Sequence, residues 1–581
     1  MMSSLCYSQV ADTVLLNYKV YRSEPEKFSQ AFAIKDGKFL HVGTNDKIRE
    51  FIGPKTKILD GKGRLVLPSF FDSHLHFLSI IWSRKECSLR NKPLDVNRVI
   101  VEIKNCIKKF KPNKIVIVKN WNYSHTAKKH KDLLENLNKI NTKLPILLSG
   151  SDQLNYTGNS TLLSNIKKKN SLGIFGFESM NDLSDYGEEL FFSPKISEAK
   201  SLIREMNSQG VTSVLDAFVL YKHLGFYEKL FNEPDATLNF HMALHPYFTK
   251  EELRSISLLK RKIKKISELR EKYSKYDNMS LSTLKIVLDG SLEGNPFHEP
   301  ITYPTAAIKK PYLSPHVDCH GDITYGPESK NKGKLLYTKA ELTNLIKTAN
   351  EEKFSTHTHL MGDRSYKVLV DIFEEVGDIK APHSLAHVQL ADLKDVRRAA
   401  KLGLFQTMTY SWIDTDLVYD SLVFPFINKF KSVEKLYKGN EYIFRSSYPL
   451  KTFKDSGGTL TFGSDAPVES SKLRPFLNIY HALNRKSPKG KIGLNSKESI
   501  DIYEAVDSLT INGARLVRQA HRTGSIRKGK YADFIMVDKD IFKLYENKKY
   551  ESISTTRVLK TFYRGKTVFS QVDTPSQGDG H

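Results

Sequence analysis

Histidine is the side chain best suited to bind a divalent metal or move a proton near neutral pH, and this chain has 18 of them. The first informative pair closes the segment Asp72-Ser73-His74-Leu75-His76, which follows the apolar run Leu65-Val66-Leu67-Pro68-Ser69-Phe70-Phe71. Side chains alternate along a strand, so His74 and His76 point the same way and form a His-x-His pinch for one metal ion. Metal-assisted hydrolysis is the chemistry such a pair suggests. Taken alone, two histidines two apart are a weak signal.

Further potential ligands stand where a parallel α/β barrel would place them, at the ends of short apolar strands. Leu284-Lys285-Ile286-Val287-Leu288 ends in Asp289-Gly290. Phe354-Ser355-Thr356-His357-Thr358-His359 runs into Leu360-Met361-Gly362-Asp363, and Ser384-Leu385-Ala386-His387-Val388 follows Pro382. Gly458-Thr459-Leu460-Thr461-Phe462-Gly463-Ser464-Asp465 stops at Ala466-Pro467. Imidazoles, a lysine and a carboxylate at successive strand ends are the parts of a zinc-type hydrolase site. No Gly-x-Ser-x-Gly elbow accompanies them, which disfavours a serine hydrolase.

The elements that must position these groups are legible in outline. Thr13 to Val20 and Ala31 to Val42 alternate or run apolar around Lys35-Asp36-Gly37-Lys38, a hairpin signal. Ala532 to Val537, Thr556 to Phe562 and Lys566-Thr567-Val568-Phe569, with the turn Arg564-Gly565, read as further short strands. Between them, strands are expected at Gly210 to Asp216 and Leu238 to His245, with a charged amphipathic helix over Lys250 to Lys275. Lys285 falls early in its expected strand.

These stretches together resemble the amidohydrolase superfamily, in its YtcJ-like, amidohydrolase 3 branch. The likeness rests on Leu67 to His76, Asp289-Gly290-Ser291, His359-Leu360-Met361-Gly362-Asp363, Ala386-His387-Val388-Gln389, Gly463 to Val468 and the closing segment Gly524 to Asp533. It spans about Ala11 to about Val568. The resemblance implies a TIM-like (β/α)8 barrel over residues 66–519, with a capping insertion at about 83–195. It also implies a small β-sandwich built from both chain ends, residues 1–65 and 520–572, leaving 573–581 as a flexible tail. It implies metal ligation by His74, His76, Lys285, His359, His387 and Asp465, with Asp465 as general base. His359 matches the family spacing better than His357, and His387 better than His383. His241 and His245 read as packing or rim residues. The cofactor implied is a divalent metal, one or two ions, and zinc is the one that His-rich ligation favours. Lys285 is the candidate for carboxylation between two metals; an ordinary lysine goes with a one-metal site. Trp121, Tyr123, Asp289, Tyr410 and Trp412 are weak candidates for substrate contacts.

Departures from the family pattern leave the substrate open. Ser69 replaces the usual Gly, and Leu292-Glu293-Gly294-Asn295-Pro296-Phe297-His298 is an unusual loop. Histidines common in relatives are absent around Ser151 to Asn155 and from Phe405 to Trp412. Three functions are carried forward. The first is hydrolysis of a carbon–nitrogen bond other than a peptide bond, in a small-molecule amide; the second is deamination on the same scaffold. The third is a non-catalytic binding or regulatory protein that keeps the fold.

Composition bounds these readings. The 581 residues, 40% hydrophobic, suffice for a large core. The four cysteines, Cys6, Cys87, Cys106 and Cys319, lack Cys-x-x-Cys spacing, which suggests a reducing compartment rather than a disulfide framework. With no signal-like N-terminus and no apolar run near 18 residues, the expected location is cytoplasmic, with no membrane partner. The net charge of +24 is dispersed in runs such as Lys167-Lys168-Lys169 and carries no nucleic-acid module. Oligomeric state is open, a homodimer included.

Overall fold

The computed structural model describes residues 10–571 except 85–86, 91, 113–114, 123–125, 127–128, 141–142, 151–154, 168, 177–193, 298–300, 438, 487, 489 and 491. Tyr123, Ser151 to Leu154, His298 and the tail 573–581 therefore lie outside the described residues.

Eight parallel strands form a nearly closed barrel. In chain order they are β1 (Phe70–Leu75), β2 (Val211–Val219), β3 (Asn239–Leu244), β4 (Met279–Val287), β5 (Ser355–Leu360), β6 (Ser384–His387), β7 (Phe405–Met408) and β8 (Thr459–Phe462). Each pairs with its sequence neighbour, and β8 returns beside β1. Helices such as Lys339–Glu351 and Asp363–Val376 alternate with the strands and bury an apolar stripe against them. The expected helix over 250–275 divides at Ser255, whose side chain caps the second part, Ile256–Ser274.

The apolar run before the first histidines splits at Ser69. Leu65–Pro68 belongs to a different sheet, because Pro68 cannot donate to a continuing ladder. That six-stranded sheet has the order 566–570, 558–563, 534–537, 65–68, 19–21 and 28–29, so both chain ends share it. A four-stranded sheet with order 38–43, 31–35, 13–16 and 57–60 faces it. Leu15, Phe32, Phe39, Val66, Phe534 and Phe562 fill the space between them. The two hairpin turns have paired left-handed residues, Asp36 and Gly37 at φ 49° and 73°, and Arg564 and Gly565 at φ 49° and 74°.

The insertion after β1 is mixed rather than mainly helical. Strands 87–88, 116–121, 146–150, 155–158 and 175–176 form a five-stranded sheet packed with helices Val96–Phe110 and His130–Asn138. It also corrects the cysteine expectation: Cys87 and Cys106, 19 residues apart, form a disulfide with Cα atoms 5.6 Å apart. Strand and helix bring together thiols that their sequence spacing separates. No helix among the described residues is long and apolar enough to cross a membrane.

His383, four residues before His387, is a structural histidine. Its Nδ1 accepts from Thr356 N–H at 3.1 Å, and its Nε2 lies 3.2 Å from Asn350 Oδ1, so it is held neutral with the proton on Nε2. Burial pushes its pKa down to about 3. The unfolded chain therefore binds this proton more readily, and the stability the neutral ring contributes is present above about pH 6.5 and lost as pH falls toward 3. Thermal unfolding measured between pH 7 and pH 4 is expected to show falling stability, by up to about 1.4 kcal/mol per pH unit from this residue. A flat profile would contradict it.

Gly463, just past β8, is where β8 meets β1: an added Cβ would lie 2.3 Å from His74 Cβ. Gly463→Ala is expected to lower stability by about 1–3 kcal/mol through overpacking, read as a lower unfolding temperature at neutral pH.

Candidate functional site

The C-terminal ends of the strands gather the candidate ligands. Asp72, His74 and His76 share one face of β1 and its extension, as period-two alternation requires. Lys285 is the seventh of nine residues in β4, not early in it as expected, because the strand begins at Met279. In register it stands beside His357, and His357 beside Ser384, so the three form one layer across β4, β5 and β6.

His74 Nε2 and His76 Nε2 approach Asp465 Oδ1 at 3.4 Å and 3.1 Å, and His387 Nδ1 lies 3.9 Å from Asp465 Oδ2. The ligating atoms of His74, His387 and Asp465 all fall within 4.8 Å of one another. The His359 ring is 4.8 Å from the His387 ring, while its Nδ1 lies 3.8 Å from Asp289 Oδ1. His74, His387 and Asp465 are buried; the side chains of His76 and His359 are 24% exposed and form the open side.

Among the described residues, His74 Nε2, His359 Nδ1, His387 Nδ1 and Asp465 Oδ1 have no hydrogen-bond partner. Buried polar groups are almost always satisfied, so the orphans on His74, His387 and Asp465, whose ligand atoms gather within 4.8 Å of one another, fit a cation that would take their lone pairs. The donor set, imidazole with carboxylate, suits zinc or a similar divalent ion. Burial, with the nearby Lys285 and neighbouring imidazoles adding to it, holds His74, His357 and His387 well below the usual histidine range and His359 at about 3. They are therefore neutral, the form that ligates. Burial also lowers Lys285 to about 8, against the opposing pull of Asp465 and Asp216.

Residues outside the expected set position these groups. His357 Nε2 lies 2.8 Å from His74 Nδ1, and His357 Nδ1 2.6 Å from Ser384 Oγ. With His74 donating from Nδ1 and His357 donating from Nδ1 in turn, the His74 Nε2 lone pair is left free. The sequence signal for His357 was its position two residues before His359, on the same strand face. Asp72 Oδ1 accepts from His74 N at 3.1 Å and Ser464 N at 3.0 Å, tying β1 to the end of β8; burial raises its carboxyl to about 7. His245 Nδ1 lies 3.1 Å from Lys285 O, and its ring stacks on Phe218, while His241 is buried against Phe71. His387 and Asp465 have left-handed backbones, φ 76° and 49°. Such residues cost about 1–3 kcal/mol each and cluster at functional sites.

The weak substrate candidates separate. Trp412 stacks on His387 with centroids 5.3 Å apart and planes 14° apart, so it walls the site. The other three described candidates have partners of their own. Tyr410 is buried against Phe462 and spends its hydroxyl on Ser508 Oγ. Trp121 packs in the apolar core of the insertion, donating to Thr126 Oγ1. Asp289 is fully buried, its oxygens accepting from Ala307 N, Met361 N, Gly362 N and Ser365 Oγ at 2.6–3.0 Å, so it clamps the loops behind His359.

Comparison with known proteins places this geometry. The pattern of the amidohydrolase family matches residues 57–569. A putative amidohydrolase YtcJ of Bacillus subtilis is 21% identical, over 94% of this chain and 96% of its own. An N-substituted formamide deformylase of Arthrobacter pascens is 22% identical over 92% and 94%. Among solved structures, an uncharacterized metal-dependent hydrolase from Pyrococcus horikoshii has the same fold, with TM-score 0.67 at 21% identity, covering 92% of this chain and 99% of the archaeal one. The chain belongs to the amidohydrolase family.

Proposed function

We propose that this protein is a metal-dependent hydrolase of carbon–nitrogen bonds other than peptide bonds, acting on a small-molecule amide. The observation that carries this reading is the convergence of His74, His387 and Asp465, with His76 and His359 on the open side, where His74 Nε2, His387 Nδ1 and Asp465 Oδ1 have no hydrogen-bond partner among the described residues. The likeness to a formamide deformylase supports the same bond class.

His74, His76, His387 and Asp465 would hold one divalent ion, zinc by its donor set, and His359 and Lys285 would serve a second. When bound, the metal supplies Lewis acidity that polarises the carbonyl and makes water nucleophilic near neutral pH. The chain's own groups do the rest. Asp465 would orient the attacking water and accept its proton as the oxygen bonds to the carbonyl carbon. The same carboxylate returns that proton to the nitrogen as the carbon–nitrogen bond breaks, giving a carboxylic acid and an amine. Trp412 keeps the His387 ring fixed by stacking, and the Ser384–His357–His74 chain keeps the His74 lone pair aimed inward. Lys285, with its amine lowered to about 8, has enough neutral amine at physiological pH to add carbon dioxide, forming the N–C bond of a carbamate and releasing a proton.

Protein isolated without chelator is expected to carry one or two equivalents of metal, lost in His74→Ala, with turnover of simple amides. Asp465→Asn is expected to lower kcat by about a hundredfold to ten-thousandfold. His357→Phe is expected to weaken metal affinity by about 10–100-fold, measured by chelator competition. Metal-free protein that stays empty after reconstitution would overturn the reading.

Carboxylation has its own readout. Incubation with isotopically labelled bicarbonate is expected to give a carbamate signal by carbon NMR that is absent from Lys285→Ala. A signal unchanged in that variant, or none in the metal-loaded protein, would assign Lys285 as an ordinary lysine.

A further inference from the structure

Trp412, which walls the site, sits in a turn only four residues long, Tyr410–Ile413, just past β7. A single tight turn has too few bonds of its own to hold an indole in one place. Within it, Trp412 N–H donates to Thr409 O at 3.1 Å. The rest of its support comes from outside. Tyr410 Oη donates to Ser508 Oγ at 2.9 Å, and Ser411 N–H donates to Asn478 Oδ1 at 2.7 Å.

Asn478 is 1% exposed, in the helix Pro475–Asn484. Its orientation is forced. Nδ2 donates to the carbonyls of Leu473 and Arg474, both at 3.1 Å, at the start of that helix. Carbonyls can only accept, so the amide nitrogen must face them and the amide oxygen is turned toward Ser411. The start of the helix is itself pinned: Arg474 is left-handed at φ 47° ahead of Pro475, and its N–H donates to Gln209 Oε1 at 3.0 Å. Three residues after Asn478, on the same helical face, His481 Nδ1 lies 4.0 Å from Asp414 Oδ2. That face therefore meets the chain on both sides of Trp412, at Ser411 and at Asp414.

We propose that Asn478 is a positioning residue for the candidate metal centre, acting on His387 through Trp412. The inference rests on the reading of His387 as a metal ligand. Asn478 Oδ1 fixes Ser411, 67 positions away in the chain; the next residue lays its indole 14° from the plane of His387, and the ring so held keeps Nδ1 on the side of Asp465, 3.9 Å from Oδ2. Truncation of Asn478 leaves the part-buried Ser411 N–H without its acceptor, frees the turn and lets the indole leave the ring.

Incorporation of 5-fluorotryptophan into the full chain gives one fluorine resonance per indole, three in all, and the one missing from Trp412→Phe belongs to Trp412. Loading with paramagnetic cobalt in place of zinc is expected to shift that resonance. In Asn478→Ala it is expected to move even in metal-free protein and to lose most of its cobalt shift, while the other two indoles stay in place. Zinc affinity by chelator competition is expected to fall about tenfold, and Asn478→Ala is expected to add no further loss in a Trp412→Ala background, as for two residues acting as one unit. An unmoved Trp412 resonance in the folded variant, or losses that add, would overturn the inference. Asn478→Ser separates positioning from folding and serves if the alanine variant fails to fold. Its hydroxyl can bond the Arg474 carbonyl four residues back but is too short to reach Ser411, so it is expected to behave as Asn478→Ala does, and wild-type behaviour would equally overturn the inference. A Trp412 resonance that moves in these variants of a protein that binds no metal keeps the hold of Asn478 on Trp412 and fails the hydrolase. Metal binding and amide turnover with an unmoved resonance keep the hydrolase and fail the positioning role.

Discussion

Asp465 can meet His74 only because the end of β8 is sewn to β1, residues almost 400 positions apart. Three contacts make the seam: Asp465 N–H to His74 O at 2.7 Å, His76 N–H to Ala466 O at 2.9 Å, and Ser464 N–H to the Asp72 carboxylate at 3.0 Å. Gly463 allows it, since a larger residue would strike His74. Every other candidate ligand reaches the site from a strand whose position in the ring follows once β1 and β8 are joined. The order of strands then sets the order of these candidates, and the register between β4, β5 and β6 sets their depth.

The seam encloses an electrostatic arrangement that protein groups alone satisfy poorly. Several imidazoles, a carboxylate and a lysine are buried together, and burial is the main force keeping the imidazoles neutral. Leaving His74 Nε2, His387 Nδ1 and Asp465 Oδ1 unpaired would cost about 1–3 kcal/mol each, and the left-handed backbones at His387 and Asp465 add strain. A cation that binds these atoms offsets those costs, which couples metal binding to stability. The composite sheet has a related role. Because its strands come from both chain ends and Leu65–Pro68 leads directly into β1, it anchors the start of the seam.

Much of the site was legible because ligand chemistry depends on residue type and local spacing. The His-x-His alternation, the Gly-Asp after His359, the Gln after His387 and the Asp after Gly463 are all local patterns. The expected insertion was harder to read: its short strands, Cys87–Ser88 among them, are too brief for a periodic signal, and its disulfide joins residues that only folding brings together. Tyr410 and Trp412 illustrate the limit within one short turn. Two aromatics two residues apart look equivalent in sequence, yet one spends its hydroxyl on Ser508 in the core and the other stacks on His387.

By itself, then, the sequence offered the His-x-His pair, further donors at strand ends and the hydrolytic chemistry they suit, since strand alternation and side-chain donor type are properties of short segments, while the barrel class and the full ligand set came from the resemblance to the amidohydrolase superfamily. Tertiary structure alone decided which lone pairs meet, that His357 orients His74, that Asp289 clamps loops, and that Glu293, Tyr419 and Gln389 form one hydrogen-bonded chain. Those outcomes depend on register and on long-range closure, which place atoms within hydrogen-bond reach of one another across separations that no local pattern encodes.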